Sequence, residues 1–394
     1  MPADRTHATM SAKDILAHLI SFDTTSFKTN IPMAEWIAGY LADQGVKSHM
    51  LPAADGIHAN LFATIGARDN APLAGGIGLS GHMDVVPVTG QTWDTDPFTM
   101  VERDGRLYGR GTCDMKGFLA CMLASVPVFQ ARTLKTPIHL IFSYDEEVGF
   151  TGARELMPQL GASLPKPEII VVGEPTRMFV VDGHKGGSRI RTEITGKDAH
   201  SSRPELGVGS IFIAAELISE LKRIEARTRQ AHPAPRFTPP FSTITVSFIE
   251  GGIAHNIIPP HCAFNWGVRL TPGVDVHEIV AELQDYAEQT LLPAMRKVHP
   301  DCAITTTIDA IFPAFAAVEG AAATSLALKF AGQNETHTAA YGTEASYFQA
   351  AGCSSVVCGP GDIAQAHQPN EFIEASELDH CMAFLDRVGD WATA

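Results

Sequence analysis

GIGLSGHMDVVP, residues 76–87, begins with a short apolar run and continues into a histidine and an aspartate. Short apolar runs bounded by turn residues are typical of buried central strands, and residues 138–144 and 169–173 have the same character. Polar, potentially reactive residues follow each run at once. Since helix and strand patterns alternate through most of the chain, the sequence predicts an α/β protein with its ligand crevice at these strand ends.

Helix signals flank these strands. Ser11 and Asp14 resemble a capping box ahead of apolar residues at helical spacing, and Pro32 begins a second helical pattern. Near the end of the chain, a further strand is predicted at residues 354–358 and a helix at 376–388.

The middle of the chain has a different pattern, in which polar and apolar residues alternate as in half-exposed antiparallel strands. The predicted elements are strands at 188–195, 242–250 and 263–270 and helices at 208–223 and 276–292. We therefore predict a smaller α+β domain, residues 183–296, inserted into a larger domain formed by residues 1–182 and 297–394.

Composition limits the function classes. The chain has 394 residues, 45% hydrophobic and 19% charged, as in soluble globular proteins. A net charge of −15, from 44 acidic and 29 basic residues, argues against nucleic acid or an anionic membrane as the main partner. The acidic excess fits either a solvated surface or carboxylates that hold metal ions.

Targeting and redox signals favour the cytoplasm. The chain has no run of 18 apolar residues, and residues 1–21 lack the pattern of a signal peptide. The seven cysteines are scattered and form no CxxC pair, which argues against a disulfide framework or a cysteine-built zinc site.

Histidines and carboxylates recur in loops beside the predicted strands. His82 is a ready metal ligand, and Asp84 can accept the other imidazole N–H, although such a pair also occurs in ordinary loops. Asp114 lies in GRGTCDMKG, residues 109–117, where it is either a helix cap or a site residue held by an unusual glycine-rich backbone.

Adjacent carboxylates follow the strand at 138–144, in YDEEVG. Their mutual repulsion is relieved either in a solvated turn or by a bound dication. Glu174 in GEPT and His367 in HQPNE are weak signals alone. Together these motifs supply nitrogen and oxygen ligands without cysteine, which suits zinc, or cobalt or manganese.

In this order and spacing, the motifs GHMDVVP, GRGTCDMKG, DEEVG, GEPT and HQPNE resemble the di-zinc aminoacylase and carboxypeptidase superfamily over nearly the whole chain. The resemblance implies a zinc-exopeptidase-like catalytic domain, a mixed sheet flanked by helices, with an inserted lid and dimerisation domain. It also implies that His82 and Glu174 hold one zinc and that Glu147 and His367 hold the other.

Further roles follow from the same resemblance. Asp114 would bridge the two metals, Asp84 would be the partner of His82, and Glu146 would be the general base. The superfamily's lid histidine corresponds to His200, which would donate to the oxyanion in its own subunit or in a partner's; without the resemblance it is an ordinary loop residue.

Substrate contacts are also implied. Asn256 would be a binding amide, and Arg269 would bind the α-carboxylate, unless it is simply an exposed strand residue. Gly342 and Thr343, in GTEA, resemble a substrate loop.

The activity implied is hydrolysis of the amide bond of an N-acyl amino acid. GHKG at 183–186 and GTEA at 342–345 are most similar to the acetylornithine deacetylase branch, which makes N2-acetyl-L-ornithine the expected substrate, in arginine biosynthesis. A succinyl-diaminopimelate desuccinylase, another acyl-amino-acid hydrolase or exopeptidase, and an inactive metal-binding scaffold are the alternatives. A homodimer through the lid is expected, because one face of 208–223 is apolar, although this face can also pack on its own sheet.

Overall fold

The computed structural model describes residues 10–66 and 73–394. Residues 1–9, part of the stretch considered for a signal peptide, lie outside the described residues. The chain forms two compact units: unit 1 comprises Met1–Asp182, Ala317–His337 and Thr343–Ala394, and unit 2 comprises Gly183–Ala316 and Thr338–Gly342.

The helices are short to medium in length and are distributed over both units. In chain order they are α1 (Ala12–Ile20), α2 (Ile31–Asp43), α3 (Gly117–Ala131), α4 (Glu146–Gly149), α5 (Thr151–Leu156), α6 (Ser210–Ala231), α7 (Val276–Tyr286), α8 (Leu292–Val298), α9 (Ala322–Ala331), α10 (Ala345–Ala350) and α11 (Ala375–Ala392).

The strands include the three apolar runs that the sequence identifies. In chain order they are β1 (Ser48–Pro52), β2 (Ala59–Ile65), β3 (Ile77–His82), β4 (Val101–Arg103), β5 (Arg106–Tyr108), β6 (Ile138–Ser143), β7 (Ile169–Pro175), β8 (Val181–His184), β9 (Gly186–Thr195), β10 (Ala199–His200), β11 (Thr243–Gly251), β12 (Ile257–Ile258), β13 (His261–Leu270), β14 (Ala303–Phe312), β15 (His337–Ala339), β16 (Ser354–Gly359) and β17 (Phe372–Glu374).

Unit 1 is built on a mixed sheet, in which the strands that lie wholly within the unit have the order β1-β2-β6-β3-β7-β16. The central strands β6, β3, β7 and β16 run parallel, and every residue of the first three is buried. Continuous apolar strands of this kind are covered on both faces. The predicted α/β class, a mixed sheet flanked by helices, is confirmed, and the carboxyl ends of parallel neighbours bring their following loops together.

Helix α3 is the core helix of unit 1. It packs against α1 and α11 and is apolar all round, as expected for a helix without a solvent face. Together with the turn before it, Thr112–Ala131 is the one segment in the described part of the chain long and apolar enough to cross a membrane, and 89% of its most apolar window is buried in the protein. Such burial is typical of a core helix.

Unit 2 contains a four-stranded antiparallel sheet with the order β11-β13-β9-β14. One face of the sheet supplies Ile190, Phe264 and Trp266 to a core that α6 and α7 complete with Leu217 and Leu283. The strand alternation seen in the sequence therefore reflects a sheet with one buried face.

The end of the inserted domain was predicted too early, at residue 296. Strand β14 pairs with β9 throughout its length, so unit 2 continues to Ala316. Three consecutive threonines at residues 305–307 interrupt the apolar alternation of β14, and Ile304 and Ile308 are only partly buried, which explains the missed strand.

All seven cysteines are free and buried. Cys262 and Cys302 lie in unit 2, and the other five lie in unit 1.

Candidate active site

His82 is the last residue of β3, where the sheet ends and a loop begins. Its Nδ1 lies 2.9 Å from the main-chain oxygen of Asp84, while the nearest carboxylate oxygen of Asp84 is 3.5 Å away. The main-chain contact favours a proton on Nδ1, which leaves Nε2 as a donor atom for a metal. This Nε2 faces Asp114, with 3.1 Å to Oδ1.

The Asp84 carboxylate contacts a second part of the site. It accepts hydrogen bonds from the backbone N–H groups of Glu146 (3.0 Å) and Glu147 (3.3 Å) and from the Ser26 hydroxyl (2.7 Å). The carboxylate therefore fixes the acidic loop that follows β6, in addition to lying beside His82. The sequence predicts that Asp84 accepts the His82 N–H, but its main-chain oxygen and not its carboxylate is the closer acceptor. The sequence gives no signal for the contact with the loop.

Asp114 lies between two imidazoles. It follows the glycine-rich loop, in which Gly111 has φ 86°, and the Asp114–Met115 peptide bond is cis. One carboxylate oxygen is 3.1 Å from His82 Nε2 and the other is 3.3 Å from His367 Nε2. A carboxylate with one oxygen toward each imidazole has the arrangement of a bridging ligand.

Glu146 and Glu147 open the short helix α4, directly after Asp145 in the left-handed region at φ 51°. Glu147 lies 3.1 Å from His367 Nε2, and Glu174, on β7, lies 3.8 Å from His82 Nε2. Within the described residues, the buried Oε1 of Glu174 has no hydrogen-bond partner. A buried carboxylate oxygen without a donor fits a metal ligand, because a cation would compensate its desolvation.

The pKa values of three of the four site carboxylates are raised. Burial, followed by the charges of neighbouring carboxylates, raises the pKa of Glu146 and Glu174 well above the usual range. Burial and the Asp114 charge raise the pKa of Glu147 to about 7. Packing four acids here is costly unless cations are close, which favours a dication site over a solvated turn.

Neighbouring carboxylates raise the pKa values of both histidines. Burial acts to lower the pKa of His82, but hydrogen bonds with Asp114 and Asp84 raise it well above its ordinary value. Hydrogen bonds with Asp114 and Glu147 raise the pKa of His367 to about 10. Both imidazoles thus face surplus negative charge at the place where a metal would bind.

Among residues 10–66 and 73–394, two groups of side chains bring ligand atoms within 4.8 Å of one another. The first consists of His82, Asp114 and Glu147, and the second of His82, Glu146 and Glu174. The nitrogen and oxygen donors fit zinc, cobalt or manganese. Geometry alone also allows Glu146 to be a ligand, so its role as base stays a prediction.

The predicted substrate residues are distributed over both units. In unit 2, His200 is exposed on β10, where its Nδ1 accepts the Ser202 N–H at 3.2 Å and lies 2.8 Å from the Ser202 hydroxyl oxygen. Asn256 and Arg269 are also exposed. Gly342 ends unit 2, and Thr343 begins the last segment of unit 1, where it is buried and its Oγ1 accepts the Ala345 N–H at 3.1 Å. Their roles stay predictions.

Sequence reasoning missed two buried carboxylates near the site. Glu344 is 1% exposed and its Oε2 accepts from the Ser80 hydroxyl at 3.2 Å. Glu371 is also 1% exposed and is paired with Arg110 at 2.6 Å. Both lie in the motifs GTEA and HQPNE, but the sequence does not show that they are buried.

Similar proteins match nearly the whole length of the chain. An acetylornithine deacetylase from Myxococcus xanthus is 35% identical over 95% of each chain, and one from Yersinia pestis is 32% identical over 93% of this chain and 92% of that one.

Solved structures share the fold. An aminopeptidase from Bacillus cereus superposes with a TM-score of 0.78 at 21% identity, covering 99% of this chain and 100% of that one. A Bacillus subtilis protein described as a dinuclear metal-binding peptidase gives 0.65 at 16% identity, covering 97% of each chain. A profile of peptidase family M20/M25/M40 matches residues 78–389. The resemblance in the motifs is confirmed, and the chain belongs to peptidase family M20/M25/M40.

Proposed function

We propose that this protein is a metal-dependent amidohydrolase that converts N2-acetyl-L-ornithine to L-ornithine and acetate, a step of arginine biosynthesis. The observation that carries the proposal is the buried cluster of carboxylates around His82, with an unpartnered Glu174 oxygen directed into it. The names of the nearly full-length relatives favour this substrate over other N-acyl amino acids.

Two zinc ions are the proposed cofactors, with cobalt or manganese as substitutes. His82 and Glu174 would hold one ion, Glu147 and His367 the other, and Asp114 both. When bound, such a metal pair supplies a water of lowered pKa and polarises the amide carbonyl.

The chain's own groups would move the proton and orient the substrate. Glu146 would accept the proton of the attacking water on its carboxylate and return it to the leaving amine. His200 would donate a hydrogen bond to the developing oxyanion. Asn256 and Arg269, together with the Gly342–Thr343 loop, would bind the amino-acid part.

A homodimer in the cytoplasm is the proposed state. Strand β11 is an edge of the unit 2 sheet, and Phe212, Phe248 and Ile253 of the same unit are 80%, 52% and 71% exposed. Exposed apolar surface beside a sheet edge favours a second copy as partner. The free, buried cysteines fit a reducing compartment.

A substrate panel tests the function. Purified protein is dialysed against a chelator, reloaded with Zn²⁺, and assayed with acetylornithine, succinyl-diaminopimelate, acetylmethionine and a dipeptide. We expect hydrolysis only after reloading, with the highest kcat/KM for acetylornithine. Full activity in metal-free protein, checked by elemental analysis, would contradict the metal mechanism. A tenfold preference for another member of the panel would reassign the substrate, and no turnover of any would support an inactive scaffold.

A further inference from the structure

A buried ion pair lies behind the glycine-rich loop of unit 1. The side chains of Arg110 and Glu371 are each 1% exposed, and Arg110 Nη1 donates to Glu371 Oε2 at 2.6 Å. The proposed catalytic mechanism assigns no role to this ion pair. Burying both charges is costly, and a buried ion pair often contributes little net stability compared with apolar residues of similar size.

Glu371 fixes the backbone that leads to Asp114. Besides Arg110, its carboxylate accepts the N–H groups of Gly111 (3.0 Å), Cys113 (2.8 Å) and Asp114 (3.0 Å). Four donors thus converge on two oxygens. The main chain of Asp114 is therefore held directly by a charged group, which sets where its carboxylate points.

Arg110 extends the same network to His367. Its Nη2 donates to Gln91 Oε1 at 2.6 Å, and Gln91 Nε2 donates to the main-chain oxygen of His367 at 2.8 Å. The guanidinium also lies 5.1 Å from the Trp93 ring centroid. His367 itself has a left-handed backbone at φ 63°, a conformation that needs support from its surroundings.

The contacts thus reach Asp114 at one end and His367 at the other, and both residues belong to the same candidate metal position. Asp114 and His367 converge there with Glu147, at 3.3 and 3.1 Å from His367 Nε2. His82 and Glu174, in contrast, are placed by the strands β3 and β7. The network thus acts on the position of Asp114, Glu147 and His367 through two residues, and on the other position only through Asp114, which both would share.

We propose that Gln91, Arg110 and Glu371 form a ligand-positioning network that sets the affinity of the metal position made by Asp114, Glu147 and His367. The proposal rests on the proposed metal-dependent function. Partners that orient metal ligands from outside the coordination sphere typically contribute 10–100-fold to metal affinity.

Metal titration of the apo protein tests the network. Gln91→Ala removes the contact to His367 and leaves the buried ion pair intact, whereas Glu371→Gln removes the charge that holds Asp114. Each protein is freed of metal and titrated with Zn²⁺ against a chromophoric chelator, and Co²⁺ spectra report the coordination. For Gln91→Ala we expect one of two binding steps to weaken by roughly 10–100-fold, with the other within about threefold of wild type. Glu371→Gln should weaken both steps, because Asp114 would hold both ions.

Glu374→Gln is the matched control. Glu374 lies three residues from Glu371 and also pairs with an arginine, Arg106 at 2.8 Å, but its side chain is 44% exposed. Its two affinities should equal those of wild type. If Glu371→Gln does not fold, Gln91→Ala decides, and its apo protein should melt at the wild-type temperature.

The outcomes separate the two proposals. In Gln91→Ala, equal weakening of both steps together with a lowered melting temperature would show a structural role and overturn the network, and so would unchanged affinities. A wild-type protein that binds no Zn²⁺ would instead overturn the proposed function itself.

Discussion

Glu146 lies close enough to His82 and Glu174 to act either as a general base or as a metal ligand. Replacing it by glutamine separates the roles, because an amide cannot accept the proton but is of similar size. If Glu146 is the base, Glu146→Gln should lose at least about 10²-fold in kcat and keep its full metal content. Elemental analysis and steady-state kinetics measure both quantities.

The control for this variant is Glu35→Gln, on the exposed side of α2. It should change neither quantity. Loss of metal from Glu146→Gln would make Glu146 a ligand, and activity within about tenfold of wild type would exclude it as the base.

The free energy of unfolding also depends on pH through His139. Its ring is buried on β6 between the Thr64 hydroxyl (2.9 Å) and the Gly75 carbonyl (2.9 Å), and burial lowers its pKa from 6.5 to about 4. Between these values the unfolded chain binds a proton that the folded chain does not. The free energy of unfolding should therefore fall as pH drops from about 6.5 to about 4, by on the order of 3 kcal/mol.

Urea unfolding of the metal-free protein at a series of pH values measures this term. His139→Gln keeps a neutral polar group and removes the titration, so its stability should depend less on pH over that window. Parallel pH curves for the two proteins would show that His139 does not contribute.

At the level of elements, α3 and β7 approach closely at a glycine. A Cβ added to Gly173 would lie 2.0 Å from ring atoms of Phe118, inside any permitted contact. Gly173→Ala should therefore lower the free energy of unfolding by about 1–3 kcal/mol, the usual cost of overpacking a core.

Gly39→Ala is the matched control, since Gly39 lies within α2 and a Cβ there would meet nothing within 4 Å. This substitution should stabilise the protein by about 0.5–1 kcal/mol through helix propensity. Urea unfolding of both variants gives the comparison, and a Gly173→Ala protein as stable as wild type would show that the sheet and helix can move apart.

The elements that sequence predicted best are those with strong periodicity. The buried runs of β3, β6 and β7 were found because each is uniformly apolar and bounded by turns. Helix α6 was found but runs to Ala231, since its last turns carry charged residues that give no apolar signal. Strand β14 was missed because three consecutive threonines interrupt its apolar alternation.

The candidate site was predictable as a set of residue types but not as a set of contacts. His82, Asp114 and Glu147 stand in motifs whose chemistry is visible in the sequence. The contact of Asp84 with the backbone of the acidic loop joins residues 62 and 63 positions apart, which no local pattern reveals. Burial of Glu371 likewise depends on tertiary packing.

At the level of the whole molecule, the exposed apolar side chains of unit 2 favour association with a second copy of the chain. Phe212 is 80% exposed and Ile249, on the edge strand β11, is 49% exposed. If this surface forms a homodimer, Phe212→Glu combined with Ile249→Lys should shift the protein from dimer to monomer in sedimentation velocity, because charges would be buried at the interface.

Val318→Glu serves as the control, since Val318 is 57% exposed but belongs to unit 1. It should leave the sedimentation coefficient unchanged. A wild-type protein that sediments as a monomer at micromolar concentration would argue against the dimer.

The burial of every cysteine provides a chemical probe of opening in each unit. A thiol reagent can modify a buried side chain only when local or global unfolding exposes it, so the rate of alkylation measures how often each region opens. Cys262 and Cys302 report on unit 2 and Cys353 and Cys358 on unit 1. Mass spectrometry of the alkylated peptides would therefore follow the breathing of the two units separately, in the unmodified wild-type chain and without any engineered label.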